Sequence, residues 1–185
     1  MERIWKEHNQ VAASLPKLTR EVSEVVDKIY ASLAAGGHLF IAGNGGSAAD
    51  AQHIAAELTG RYMLERPPFR AMALHCNSSA LTAIGNDYGY DRVFARELSA
   101  HAKSGDVFLG ISTSGNSANI MCAIEAARQL QVGVIGLTGE SGGKMKDACD
   151  LCLRVPSSST PRIQEMHITI GHAICELLEA RLANK

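Results

Sequence analysis

The sequence predicts a three-layer α/β/α sandwich: a five-stranded parallel sheet between two helical layers, preceded by an amino-terminal helical hairpin. Three observations carry this. Five short, nearly continuous apolar runs, at residues 38–42, 71–74, 107–111, 132–137 and 151–155, have the length and composition of strands buried on both faces. Segments with apolar residues every three or four positions separate them, and strands alternating with helices make a parallel sheet covered on both sides. The 185 residues suffice for one domain with a sizeable core, and 1–185 is taken as that domain.

Residues 2–36 read as two helices, broken at Pro16. The second carries Leu18, Val22, Val25, Ile29 and Leu33 and stops at Gly36 and Gly37. Apolar residues on more than one face of this hairpin predict contact with another subunit. Strand 38–42 runs into Gly43-Asn-Gly-Gly-Ser47, and a helix follows over 48–62. Pro67 and Pro68 end a linker before strand 71–74. A short helix over 78–84 is expected to stop at Gly85-Asn-Asp-Tyr-Gly89, and another covers 92–103. Strand 107–111 is placed centrally, and the helix opening at Ala118 carries Ile120, Ala123, Ile124 and Ala127. Strand 132–137, a glycine-rich loop at 138–143, a short helix and strand 151–155 follow, with Pro156 closing the last strand. Pro161 suits the first position of a final helix reaching about Ala183. Ligands of such sheets bind at the carboxyl ends of the strands, where the loops at 43–47, 85–87, 112–117 and 138–143 are expected.

Charge and composition exclude several classes. Lys plus Arg number 18 against 19 Asp plus Glu, so no overall field attracts nucleic acid or a membrane surface. The first eight residues are charged and lack the apolar run of a secretory leader, and no apolar stretch is long enough to span a bilayer. A soluble, cytoplasmic protein is expected. Five cysteines, at 76, 122, 149, 152 and 175, are an odd number in mostly apolar segments. Cys149-Asp-Leu-Cys152 has the spacing of a redox motif but leads into a strand, so it reads as core packing in a reduced compartment.

The loop after the central strand, Ser112-Thr-Ser-Gly-Asn-Ser117, places four hydroxyls in six residues directly before a helix. A helix amino terminus offers free backbone N–H groups and the positive end of a dipole, which is an anion site, most often for phosphate. An ordinary helix cap needs one hydroxyl, not Ser112, Thr113, Ser114 and Ser117 together. The loop contains no Lys or Arg, so hydrogen-bond donors would hold the ligand. The 43–47 loop lacks both the dinucleotide fingerprint and the P-loop sequence, which disfavours a nucleotide; Gly45 and Gly46 let a ligand approach the backbone.

Asp50, His53 and Glu57 lie on the helix after that loop. His53 and Glu57 are four apart and share a face, which makes half a zinc site or a base beside its orienting partner. A solvated polar face is the commoner meaning of such a pair, but Ile54, Ala55, Ala56 and Leu58 leave little of this helix polar. The last helix carries Gln164, Glu165, His167 and His172 among isoleucines, and ionisable groups in such surroundings need partners. For His172 a hydrogen-bonded core histidine and a ligand are equally open. Gln164 and His172 stand about 12 Å apart along a helix, so spacing does not show that both ligate one ion.

Gly43-Asn-Gly-Gly-Ser-Ala-Ala-Asp50, Gln52-His53, Glu57, Arg61-Tyr62, Gly85-Asn-Asp87, the 112–117 loop, Leu137-Thr-Gly139 and Arg162-Ile-Gln-Glu-Met-His167 together resemble the phosphoheptose isomerases of the SIS (sugar isomerase) family. The similarity covers residues 35–182, in the family's order. The 112–117 loop alone marks the wider superfamily; His53, Glu57, Gln164 and His172 together are more specific. The resemblance implies a flavodoxin-like SIS fold and isomerisation of sedoheptulose 7-phosphate to D-glycero-D-manno-heptose 7-phosphate, the entry to activated heptose for surface polysaccharide such as lipopolysaccharide. It implies phosphate binding by Ser112, Thr113, Ser114 and Ser117, and sugar contacts from Asn44, Gly45, Gly46, Ser47, Glu57, Asn86, Asp87 and Gln164. It also implies one zinc ion per subunit on His53, Glu57, Gln164 and His172, an acid–base pair of Glu57 and His172, and a homotetramer with sites at its interfaces. Some members carry an acidic residue where this chain has Pro161, so a carboxylate is absent there.

Two other classes share the phosphate loop. A non-catalytic relative that associates with the replication initiator departs at the Glu57 and His172 positions, and this sequence has both residues. An aminosugar phosphate isomerase or sugar-phosphate sensor would not require the His53, Glu57, Gln164 and His172 set.

Overall fold

Alternation along the central strands decides the layering. In a computed structural model of the chain, which describes residues 1–182, strands β1 (Leu39–Gly43) and β3 (Val107–Ile111) are buried along their whole length. Leu39 and Ile41 share one core with Val107, Leu109 and Ile111, while Phe40 and Ala42 share the other with Phe108. Strands β2 (Ala71–Ala73), β4 (Gly133–Thr138) and β5 (Leu151–Arg154) complete an all-parallel sheet in the order β2-β1-β3-β4-β5. The parallel five-stranded sandwich expected from the sequence is the fold observed, with β3 at its centre.

Helices α2 (Thr19–Ala34), α3 (Gly46–Thr59) and α8 (Thr160–Leu182) cover the first core, where Val25, Ile29, Ile54, Leu58, Ile170 and Ile174 are sealed from solvent. On the other face lie α4 (Ser78–Tyr88), α5 (Val93–His101), α6 (Ala118–Gln129) and the single-turn α7 (Met145–Ala148). Each fully buried Leu, Ile or Phe contributes about 1.5–3 kcal/mol relative to an exposed one. Helix α1 (Glu2–Ala12) lies outside both layers and buries none of its own residues. It is tied to α8 where Arg162 donates to the Ile4 carbonyl at 2.9 Å and where His8 and Glu165 meet at 2.8 Å. Pro16 sits in the 3-10 turn Leu15–Leu18 that separates α1 from α2, as its fixed φ and missing N–H require.

Three expectations need correction. Helix α4 continues through Gly85, Asn86 and Asp87 to Tyr88, so 85–87 is helical and not a loop. A single glycine inside a helix costs only about 1 kcal/mol. The chain turns instead at Gly89, with φ +88°. Helix α3 ends at Thr59, short of 62, because Arg66 takes over its last carbonyls. Cys149 packs against the second core but, like Cys152, is only half-buried, since β5 is an edge strand and α7 is too short to cover them; Cys175 alone among the described cysteines is sealed. Ala183, the expected end of the last helix, lies outside the described residues.

Helices α3 and α8 run side by side in one register. Gln164 lies against Gly46, Gly171 against Ile54, His172 against His53, and Glu179 against the backbone of 62–64. Equal rise along both helices maintains the pairing, and Gly171 permits the close approach: a Cβ there would stand 2.7 Å from Ile54 Cδ1.

Candidate active site

The strand order reverses between β1 and β3, and a crevice opens at the carboxyl ends of these two strands. Two amides bridge it. Asn44 Nδ2 donates to Asn119 Oδ1 and Asn119 Nδ2 donates to Asn44 Oδ1, both at 2.9 Å, and the Tyr90 hydroxyl reaches Asn44 Oδ1 at 3.2 Å. Asn119 is buried at the opening of α6, and its Oδ1 also accepts from Ile120 N–H. Asn44 was legible as a site residue; Asn119 and Tyr90 were not, although an Asn on the apolar side of α6 was a visible signal. Gly45 takes φ +57°, and Gly46 is pressed by the Gln164 amide, 2.8 Å from where a Cβ would stand. Ser47 is buried in the first turn of α3. Asn86 and Asp87 are exposed on the last turn of α4, joined by a 2.8 Å bond from Asn86 Nδ2 to Asp87 Oδ1.

The hydroxyl loop is preorganised. Ser112 Oγ lies 2.9 Å from Ser117 Oγ and 3.4 Å from Ser114 Oγ, and Ser114 Oγ accepts from Asn116 N–H at 3.2 Å. Ser117 occupies the cap position of α6 without using its hydroxyl to cap it, which leaves first-turn N–H groups for an anion. Gly115, at φ +65°, turns the loop and its carbonyl accepts from Met145 N–H at 3.1 Å. The Thr113 carbonyl accepts from Gly139 N–H at 3.1 Å, which joins this loop to the one after β4. Between the two loops and the start of α8 lies a cavity of about 280 Å³ whose hydroxyls come from Thr113, Ser114, Ser141, Ser157, Ser158 and Thr160.

Two turns along the α3–α8 pair, three donors converge. His53 Nε2 stands 3.2 Å from Glu57 Oε1 and 3.0 Å from His172 Nε2, and one donor atom from each residue falls within 4.8 Å of the others. Ligand bonds of about 2.0–2.1 Å in a tetrahedral site place neighbouring donor atoms roughly 3.3 Å apart, close to both spacings here. Facing imidazole nitrogens, half-exposed beside a carboxylate, fit a divalent cation of borderline softness. Gln164 stands at the other end of this helix pair, with Gly46. Asp50, one turn before His53, has a buried Oδ2 without a hydrogen-bond partner among the described residues. Burial pushes its carboxyl above the usual range, partly opposed by His53 and His172.

A second buried constellation holds this geometry, and sequence reading missed it. Glu179 accepts from the N–H groups of Tyr62, Met63 and Leu64 at 2.8–3.0 Å and from Arg66 Nε at 2.8 Å. Arg66 in turn donates to the carbonyls of Glu57, Leu58, Gly60 and Pro67 and stacks 3.8 Å over Phe69. The arginine therefore closes the carboxyl end of α3, the helix that carries Glu57, and fastens it to α8, which carries His172. No local signal pairs two residues 113 positions apart.

The SIS domain model matches residues 6–139. Phosphoheptose isomerase from Rhodospirillum rubrum is 59% identical over 163 residues, covering 88% of this chain and 87% of that protein. The chain belongs to the SIS domain family, among its phosphoheptose isomerases. Solved structures agree with this placement. Phosphoheptose isomerase from Neisseria gonorrhoeae superimposes with a TM-score of 0.89 at 43% identity, covering 97% of this chain and 98% of that one. The enzyme from Francisella tularensis gives 0.94 at 34% identity, with 97% and 96% covered. As a SIS protein, the chain carries its hydroxyl loop at the carboxyl end of β3, His53 and Glu57 on the helix that follows β1, and His172 on α8.

Proposed function

We infer that this protein is an aldose–ketose isomerase converting sedoheptulose 7-phosphate to D-glycero-D-manno-heptose 7-phosphate through an enediol, the first step toward activated heptose. The observation that carries the mechanism is Glu57 beside His53 and His172, at the end of a rigid helix pair. Ser112, Thr113, Ser114 and Ser117, with the first N–H groups of α6, hold the phosphate. Asn44, Gly45, Gly46, Ser47, Asn86, Asp87 and Gln164 are proposed to contact the open-chain sugar; the Asn44–Asn119 pair supports this by fixing the crevice floor.

Isomerisation moves a proton between adjacent carbons. The Glu57 carboxylate takes it from the carbon beside the carbonyl and returns it to the neighbouring carbon on the same face, while His172 moves protons at the oxygens. His53, Glu57 and His172 are proposed to hold a zinc ion, one per subunit, with Gln164 as a fourth ligand on the family resemblance alone. Bound zinc would supply polarisation of a sugar oxygen or a structural tie. Base and metal ligand are competing roles for one carboxylate, so Glu57 would act as the base only when not engaged by the ion. A cytoplasmic homotetramer of this single domain, with the helices of 1–36 between copies, is likewise proposed. The exposure of Met1, Ile4 and Trp5 on α1 supports it, and no helix among the described residues is long and apolar enough to cross a membrane.

The test compares isomerisation by metal-loaded protein, chelated protein and Glu57→Gln. The variant should lose about 10²–10⁴ in kcat while still binding the sugar phosphate. Full turnover in a Glu57→Gln protein that keeps its metal removes the base assignment.

A further inference from the structure

Away from the active site, Cys149 and Cys152 share the space above one glycine. A Cβ at Gly136 would lie 2.9 Å from Cys149 Sγ, 3.0 Å from the Met145 methyl and 3.4 Å from Cys152 Sγ, so both sulfurs face this one position on β4 and a side chain there would press on Cys149. Cys149 ends α7, and Cys152 is the second residue of the edge strand β5. Thr138 Oγ1 lies 3.6 Å from Cys152 Sγ. Both side chains are half-buried and line a surface cavity of about 360 Å³ together with Lys146, Asp147, Asp150 and Arg154. Ordinary edge packing accounts for one such thiol. It does not account for two that face one glycine in a cavity lined by two cations and two carboxylates.

We propose that Cys149 and Cys152 form a reversible dithiol–disulfide site for small anionic disulfides, in which Cys152 attacks and Cys149 resolves. The roles follow from the asymmetry of the pair. The neighbouring Cys149 thiol draws the Cys152 thiol below its usual range, against burial and the Asp147 carboxylate and with help from the Thr138 hydroxyl and Arg154. The neighbouring Cys152, together with burial, pushes Cys149 up. Lys146 and Arg154 suit a disulfide that bears carboxylates, such as oxidised glutathione. The Cys152 thiolate attacks one sulfur of that disulfide, the S–S bond breaks, and one glutathione thiolate leaves with the proton Cys152 gave up. Cys149 then loses its proton and attacks Cys152 Sγ, expelling the second glutathione, which takes that proton. Two protein thiols are oxidised and one glutathione disulfide is reduced to two thiols. A bridge this close to the surface belongs with the readily reduced disulfides.

The test treats the full-length protein with oxidised glutathione, alkylates the remaining thiols and maps peptides by mass spectrometry. The native 149–152 peptide should lose two hydrogens, resist alkylation and recover both thiols with dithiothreitol. Cys149→Ser, or Cys149→Ala should the serine protein fold poorly, should trap glutathione on Cys152. In Cys152→Ser, Cys149 should react about tenfold more slowly than Cys152 does in the native chain. The native chain needs no substitution, and the exposed Cys76 serves as the internal control. Glutathione on Cys76 while Cys149 and Cys152 both remain alkylatable overturns the proposal, as does equal trapping on Cys149 and Cys152.

Discussion

Replacing Glu179 with Gln asks how far the active site depends on a buried ion pair that touches no substrate. The carboxylate is 3% exposed and the guanidinium of Arg66 is 1% exposed. Four donors converge on it: Tyr62 N–H and Arg66 Nε on one oxygen, Met63 and Leu64 N–H on the other. Glutamine keeps one acceptor and turns the other into an NH₂ group facing donors. At least one backbone N–H is then stranded, at about 1–3 kcal/mol each, and the guanidinium loses its counter-charge. Breaking a buried pair from one side costs about 3–5 kcal/mol. For a chain of this size that lowers Tm by roughly 6–20 °C. Urea or thermal unfolding of both proteins measures it, and a loss under about 1 kcal/mol would refute the clamp. The pH dependence gives an independent check. Burial pushes the Glu179 carboxyl up, but three backbone N–H groups and Arg66 outweigh it and hold the group below its usual range. Its contribution is therefore present above the ordinary carboxylate range and is lost as pH falls through the depressed folded value. The stability gap between native protein and Glu179→Gln should close in acid. Because Arg66 also holds the Glu57 carbonyl, kcat should fall in the variant at temperatures where it remains folded.

His167 is fully buried on α8, with Nε2 3.1 Å from the Thr138 carbonyl, and burial lowers its pKa from 6.5 to about 4 although that bond opposes the shift. The unfolded chain binds a proton there first, so up to roughly 3 kcal/mol of stability is lost between pH 6.5 and 4. His167→Gln should flatten that limb of the stability curve, read from unfolding at pH 5 and pH 8; an unchanged slope would assign the acid sensitivity elsewhere. Gly115→Ala puts a Cβ on the Gly142 carbonyl at φ +65°, where strain alone costs about 1–3 kcal/mol. KM for the sugar phosphate should rise at least tenfold with a smaller change in kcat, and an unaltered KM would show that the hydroxyl loop does not hold the phosphate.

The sequence determined the sandwich because a strand buried on both faces must be apolar throughout, and that signal is local. It placed β3 to the residue and located the four hydroxyls of the 112–117 loop, whose meaning depends only on a helix beginning at Ala118. It also put His53 and Glu57 on one helical face, since four residues make about one turn. It misjudged 85–87, where a glycine read as a helix stop lies inside α4 and the turn comes at Gly89 instead. Only the tertiary structure brought His172 to His53, 119 residues away, by running α3 and α8 parallel in one register. The same packing matched Arg66 to Glu179, and the pairing of β1 with β3 set Asn119 against Asn44. Periodicity says which face of a helix is buried. The partner that face meets, and the ionisable groups carried into contact with it, are settled only when the layers close.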